Sequence, residues 1–351
     1  MDENISTPRI DWVDFAKGFV MLTVIFGHAA VYNHETFCDI SLILIYEFHM
    51  PFFFVLAGFL LNLEKWSGDD NYKKFSEKLF KRLLVPYYIA EILWYPIWFL
   101  AGHVLGHEAY IRNTALSPET ALLGIFVGNG NLLALVPLWF LPALFFAELI
   151  FLKLYNRFSR IGNDIFALII VVISYLGYIA GKIASFPMSL DIALTVQGFI
   201  FVGVLIRKYN IVKKLNLRHC LILLNIFVWA FFLNGKISMF IRDYGDCFLF
   251  YAGGVTGTLL IMKVATLVTS VNGIVCKLMK YCGQQSLFVM TMHLLIAFIT
   301  YDLVANATGL EVKIVRSLPE VIFAITLLGL LIPLLIAKKF GKLPVLKYFC
   351  P

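Results

Sequence analysis

The sequence predicts an all-α integral membrane protein of about ten transmembrane helices with both termini in the cytoplasm. Three observations carry that expectation. Apolar residues make up 60% of the 351 positions and charged residues only 15%, with a mean hydropathy of +0.84, far beyond the roughly half-apolar usage of a soluble domain. The apolar residues are gathered into runs of about 17 to 25, the length at which a helix crosses the hydrocarbon core while satisfying its own backbone hydrogen bonds. Lysine and arginine, finally, are rich in alternate loops and sparse in the others.

Taken in order, the first run, 12–32, follows a polar start and lacks a small-residue cleavage site, so it reads as a span and not as a removable signal peptide. The second, 41–61, is interrupted by Pro51, which removes a backbone donor and is expected to kink the helix. The third, 83–102, follows a basic stretch, and the fourth, 132–155, carries the proline-interrupted "WFLPALF". Runs 165–181, 190–206 and 220–234 are delimited by basic residues, by Arg207-Lys208 and by Asn234-Gly235. The eighth, 247–267, holds "YAGGVTGT"; it follows no strand, so its glycines read as small-residue helix packing and not as a phosphate loop. Runs 286–304 and 318–337 complete the set, and the last ends on Lys338-Lys339. Continuous apolarity excludes a barrel, whose strands alternate. Residues 1–351 are expected to form one membrane domain, without internal repeat or soluble domain.

Lys65, Lys73, Lys74, Lys78, Lys81 and Arg82 follow the second run, and later even-numbered loops and the tail are similarly basic. The opposite loops hold only Arg112, Lys182, Lys236, Arg242, Lys313 and Arg316. The +7 formal charge is thereby explained by topology and gives no argument for nucleic acid. The six cysteines have no metal-ligand spacing, so no metal is expected; Cys38 and Cys247 both fall at the outer side, where they read as buried thiols or, less often, as a disulfide pair.

Ionisable side chains inside spans cost about 2.5 to 3.5 kcal/mol each and are functional candidates by default. In "RIDWVDFAKGFVMLTVIFGH", Asp14, Lys17, Met21 and His28 share one helical stripe, with Lys17 and His28 about 16 Å apart along the axis. Arg9, Asp11, Asp14 and Lys17 read either as an interfacial anchor or as the entrance to a site, and Gly18 and Gly27 as close packing. Glu47 and His49, in "YEFHMPFFFVLAGFLL", fall near the depth of His28, where a carboxylate beside two imidazoles would fix a tautomer and raise basicity. His293 lies near mid-membrane in the ninth span; Glu91 and Glu148 are mid-span without evident partners. Trp139 reads as core packing or as a platform for a ligand. In "YKKFSEKLFKRLLVPYY", Tyr72, Phe75, Leu79 and Leu83 share one face, as expected for a helix lying in the membrane interface. Its cations Lys78, Lys81 and Arg82 would meet lipid headgroups or a phosphorylated ligand.

"RIDWVDFAKGFVMLTVIFGH" and "FHMPFFFVLAGFL", followed by "KRLLVPYY", "WFLPALF" and "GQQSLFVMTMH", resemble in order the membrane-bound acyltransferase-three family. The likeness is strongest to its fucose 4-O-acetylase-like members, which modify bacterial surface sugars. The resemblance implies a ten-helix fold in the cell (inner) membrane, acetyl-CoA as cytosolic acyl donor, and O-acylation of a carbohydrate, free, polymeric or lipid-linked. It maps the family's essential first-span histidine onto His28, the arginine opening that motif onto Arg9, and the "FHMP" histidine onto His49. Of the family's arginine pair before the third span, Arg82 matches the second member, while position 79 is leucine with Lys78 and Lys81 nearby. No fused hydrolase-like domain accompanies the spans, so acceptor selectivity is expected within them and their loops.

Residues and resemblance together give one expected mechanism. Acetyl-CoA docks its phosphates on the cytoplasmic cations and threads its pantetheine arm along the Lys17 stripe. His28 then acts as general base or transient acetyl carrier, Glu47 or His49 orients it, and His49 or His293 serves the oxyanion. The rival readings are a proton-coupled transporter, which uses the same buried residue types but commonly shows repeated halves, and an acyltransferase acting on lipid or peptide. Acceptor identity and oligomeric state are open at the level of sequence.

Overall fold

The computed structural model describes residues 9–111, 116–128, 133, 135–271 and 273–350; Arg112 and the first residue of the expected fourth span, at 132, lie outside them. The described residues are helical almost throughout and contain no strand beyond one isolated bridge. Among the described residues nine helices are long and apolar enough to cross a membrane, and a bent pair taken as one span makes a tenth: α1 Asp11–Ala30, α2 Thr36–Leu60, α3 Asp69–Val104, α4 Val136–Phe158 and α5 Asn163–Ile183. Then come α6, a bent pair Pro187–Thr195 and Gln197–Lys208, α7 Leu217–Asn234, α8 Cys247–Val268, α9 Ser286–Thr308 and α10 Pro319–Phe340. The protein is an all-α integral membrane protein, its lipid-facing surface supplied by side chains such as Leu221, Trp229 and Phe232 of α7 and Leu168 and Val171 of α5.

Two crossings differ from expectation. The basic segment before the third span is not a separate interfacial helix but the first turns of α3, which runs unbroken for 36 residues. Phe75, Leu79 and Leu83 are buried against the protein instead of lying on the bilayer surface. Pro86 and Pro96 lack an N–H, and wide π-turns at Phe80–Leu84 and Phe99–Val104 flank them and absorb the mismatch in register.

The sixth crossing is bent by 53° at Val196. Its interrupted backbone is caught by neighbours: Gly198 N–H donates to Ser174 Oγ at 2.9 Å, and Gln197 Nε2 donates to the Ala193 and Ala147 carbonyls at 2.6 and 3.2 Å. A broken helix survives in a membrane only where protein supplies such partners. Cys38 and Cys247 are free thiols and do not form the disulfide their placement allowed.

Glycine sets the closest contacts. A Cβ at Gly18 of α1 would overlap the Met279 carbonyl, and one at Gly283 would overlap the Asp14 carbonyl, so α1 and helix Ile274–Gln284 meet backbone to backbone. Gly58 of α2 and Gly203 of α6 do the same, and Gly253, Gly254 and Gly257 seat α8 on α2. This is the small-residue packing expected where lipid supplies no hydrophobic drive between helices. Gly18→Leu is therefore expected to destabilise by about 1–3 kcal/mol through overpacking. Gly273→Ala, which meets nothing within 4 Å, should stay within about 0.5 kcal/mol. Thermal unfolding of the purified protein compares the two, and an equal effect would refute the packing account.

Candidate active site

A cavity of about 290 Å³ opens at the end of the bundle where α1 finishes. α1 brings His28 from its last turn and Met21 from two turns earlier; α2 brings Tyr46, His49, Met50 and Phe53. The tight 3₁₀ turn Val136–Trp139, which opens α4, contributes Trp139, itself only 5% exposed. The chain between α7 and α8 closes the far side with Lys236, Ser238 and Phe240. Met21 and His28 lie on the wall because they share the stripe read from the sequence, while Lys17 of that stripe is engaged one end away.

The imidazoles are held differently. His49 Nδ1 lies 2.8 Å from the Ile45 carbonyl one turn back. A carbonyl only accepts, so Nδ1 carries the proton and Nε2 is the basic nitrogen of the neutral ring. The Tyr46 ring packs against His49 at 5.0 Å. His28 is backed by His293, whose ring lies 5.3 Å away at 38°. His293 is 1% exposed and anchored through Nδ1 to the Val289 carbonyl at 3.2 Å, with the side-chain-free Gly329 of α10 beside its Cβ.

Two sequence expectations are corrected by this geometry. Glu47 does not join His28 and His49: it is fully buried on the opposite side of α2, its carboxyl lying over Gly253 of α8. Residues two apart on a helix project about 200° apart, so the carboxylate next to His49 in sequence faces another helix, and a backbone carbonyl sets the tautomer instead. His293, expected as an oxyanion or acceptor residue, packs behind His28 and is not among the residues that line the cavity, so in this geometry it backs that ring.

Lys236 and Ser238 are wall residues that sequence reading passed over, since Lys236 entered only as one cation in a sparse outer loop. The segment that carries them is built, not slack. Ser238 and Asp243 exchange two backbone hydrogen bonds. Arg242, in a left-handed conformation with φ 62°, grips Asp191 of α6 through Nε and Nη2 at 2.7 and 3.3 Å and donates from Nη1 to the Phe240 carbonyl. Both side chains of that ion pair are almost completely buried.

The remaining predicted residues gather at the other end of α1. Asp14 pairs with Lys17 at 2.8 Å and receives Gln284 Nε2 at 3.3 Å, while Asp11 receives Lys280 Nζ at 2.9 Å. Arg9 is exposed just before the helix. On α3, Lys78 and Lys81 are exposed, Lys78 over the Trp66 ring at 5.0 to 5.3 Å together with Lys65. Arg82 reaches the buried Glu148 of α4 at 3.7 Å and leaves 55% of its side chain exposed. Among the described residues no ion pair joins the α1 group to the α3 group, and no cluster of His, Cys, Asp and Glu is arranged to hold a metal ion.

An apolar, aromatic-walled cavity bearing two imidazoles suits proton transfer to and from a hydroxyl. Against known families, the model described as an acyltransferase domain matches residues 10–338, nearly the whole chain. The chain belongs to acyltransferase family 3. No curated protein and no solved structure matches it significantly. The protein is therefore a membrane acyltransferase, and in this acyltransferase the matched region takes in every wall residue of the cavity.

Proposed function

We propose that the enzyme transfers an acetyl group from cytosolic acetyl-CoA to a hydroxyl of a sugar, in the cell membrane and with both termini cytoplasmic. The observation that carries the reading is that His28 and His49, the two histidines of the family-like motifs, lie on the wall of one cavity. The exposed cations Arg9, Lys78, Lys81 and Arg82 suit the phosphates of the donor. Lys17 and Met21 lead from the cation end of α1 toward His28, a rise of about 16 Å that an extended pantetheine arm can cover.

In this reading the acceptor hydroxyl enters from the cavity end. His28 takes its proton as the oxygen attacks the thioester carbonyl. The tetrahedral oxyanion collapses with cleavage of the C–S bond, and the proton passes to the departing CoA thiolate. His49 Nε2 holds or relays a proton beside it, and Trp139 offers its ring face to the sugar. The direct test is radiolabelled acetyl-CoA incubated with purified protein and a panel of sugars, following CoA release and label transfer. His28-dependent donor cleavage is the expected result; folded wild type that neither binds nor cleaves acetyl-CoA with acceptors present would overturn the assignment.

Donor docking makes a separate prediction. Arg82→Gln is expected to raise KM for acetyl-CoA about tenfold, the low end for a charge-assisted contact from a half-exposed side chain, with kcat little changed. Added salt should weaken wild type more than the variant. An unchanged KM would move the phosphate site to Arg9 or to Lys78 and Lys81.

A further inference from the structure

The cavity wall carries one ammonium and no acid. Among its described lining residues Lys236 is the only Lys or Arg, none is Asp or Glu, and the rest are mainly apolar or aromatic. Two other cations of the same face, on the elements packed nearest, are engaged. Arg242 is committed to Asp191, and Lys182 to the Tyr178 hydroxyl and the Gly245 carbonyl. No ion pair occupies Lys236 among the described residues. Its position is nevertheless fixed, because its neighbour Ile237 is 1% exposed and the Ser238–Asp243 bridge follows immediately.

We propose that Lys236 pairs with a carboxylate or phosphate group on the acceptor, so that the sugar acetylated is an anionic one. The inference rests on the sugar O-acetyltransfer reading above. Covering an ammonium with a neutral sugar strips water from the charge without compensation, whereas an anionic group supplies the missing partner. The same anion helps the chemistry. When an imidazole accepts the hydroxyl proton, a second positive charge forms in the cavity that Lys236 lines, and a carboxylate or phosphate on the acceptor offsets that repulsion. A cavity of about 290 Å³ lies at the small end of ligand sites, which run to about 1,000 Å³, so one ring and its charged substituent occupy it.

The test uses full-length wild type, Lys236→Gln and Lys236→Arg in phosphatidylcholine nanodiscs. D-glucuronate and D-glucose 1-phosphate are the charged probes and D-glucose the neutral one. Binding is read calorimetrically and kcat/KM with labelled acetyl-CoA. Wild type is expected to bind at least one charged probe tenfold or more tighter than glucose, with the stronger arm naming carboxylate or phosphate. Lys236→Gln should reduce that affinity to the level of glucose, and Lys236→Arg should retain most of it. Equal binding of charged and neutral sugars by wild type, absence of saturable binding of either charged probe, or an effect of Lys236→Gln that falls on KM for acetyl-CoA would overturn the proposal. CoA release assayed in parallel separates the two readings. If wild type cleaves acetyl-CoA but lacks charge preference, the role of Lys236 fails alone; if it does not cleave acetyl-CoA, the donor assignment fails.

Discussion

His28→Ala is expected to lower acetyl transfer by about 10²- to 10⁴-fold, the range that positioned acid-base groups contribute, while the protein stays folded and monodisperse. The expectation rests on placement: His28 is the wall imidazole at the end of the Lys17–Met21 stripe, held from behind by His293 at 5.3 Å. A group acting in the transition state costs turnover without costing fold. His49→Ala should lower kcat by a smaller factor and leave KM for acetyl-CoA nearly unchanged, because His49 is oriented by its own backbone at Ile45 and lies on α2, away from the donor cations. Steady-state kinetics of both variants beside a thermal melt decide the matter. Wild-type turnover in His28→Ala would remove it from the chemistry.

Arg242→Ala should produce the largest loss of stability, about 3–5 kcal/mol, the cost of stranding one partner of a buried ion pair. Asp191 is left with its side chain inaccessible to water, and the Phe240 carbonyl loses its donor. Replacing the pair with apolar residues of similar size, Arg242→Met with Asp191→Leu, should recover most of that loss. Equilibrium unfolding in mixed micelles measures both. The pair also ties the bent α6 to the segment bearing Lys236 and Ser238, so kcat/KM for the acceptor should fall in the single variant even at temperatures where it remains folded. A single variant within about 1 kcal/mol of wild type, with unaltered kinetics, would mean that the pair braces nothing.

The helical spans and the cavity histidines were legible because each depends on local pattern. Length of apolar run fixes the crossings, and the 3.6-residue period puts Met21 and His28 on one stripe. The glycines of "YAGGVTGT" were read as packing, and Gly253, Gly254 and Gly257 do seat α8 on α2. Glu47 departs from expectation for an equally local reason: proximity in sequence is not proximity in space, because a helix turns neighbours two apart to different partners. The basic stretch that opens α3 departs from expectation because an amphipathic face has the same pattern whether it lies on lipid or on protein. Phe75 and Leu79 settle that only through what they are buried against. The partners of Arg82 with Glu148 and of Arg242 with Asp191 join residues 66 and 51 positions apart, separations at which spacing carries no signal.

By itself the sequence determined a helical membrane protein, because burying backbone in hydrocarbon leaves few alternatives, and it picked out His28 and His49 as costly polar groups in apolar surroundings. Tertiary structure alone decided that these two imidazoles share a wall while Glu47 does not, that His293 supports and does not line, that the sixth crossing bends, and that Lys236 stands at the same cavity. Those outcomes depend on which helix faces meet, and that is set by contacts between distant segments, where backbones approach at Gly18, Gly58, Gly203 and Gly283.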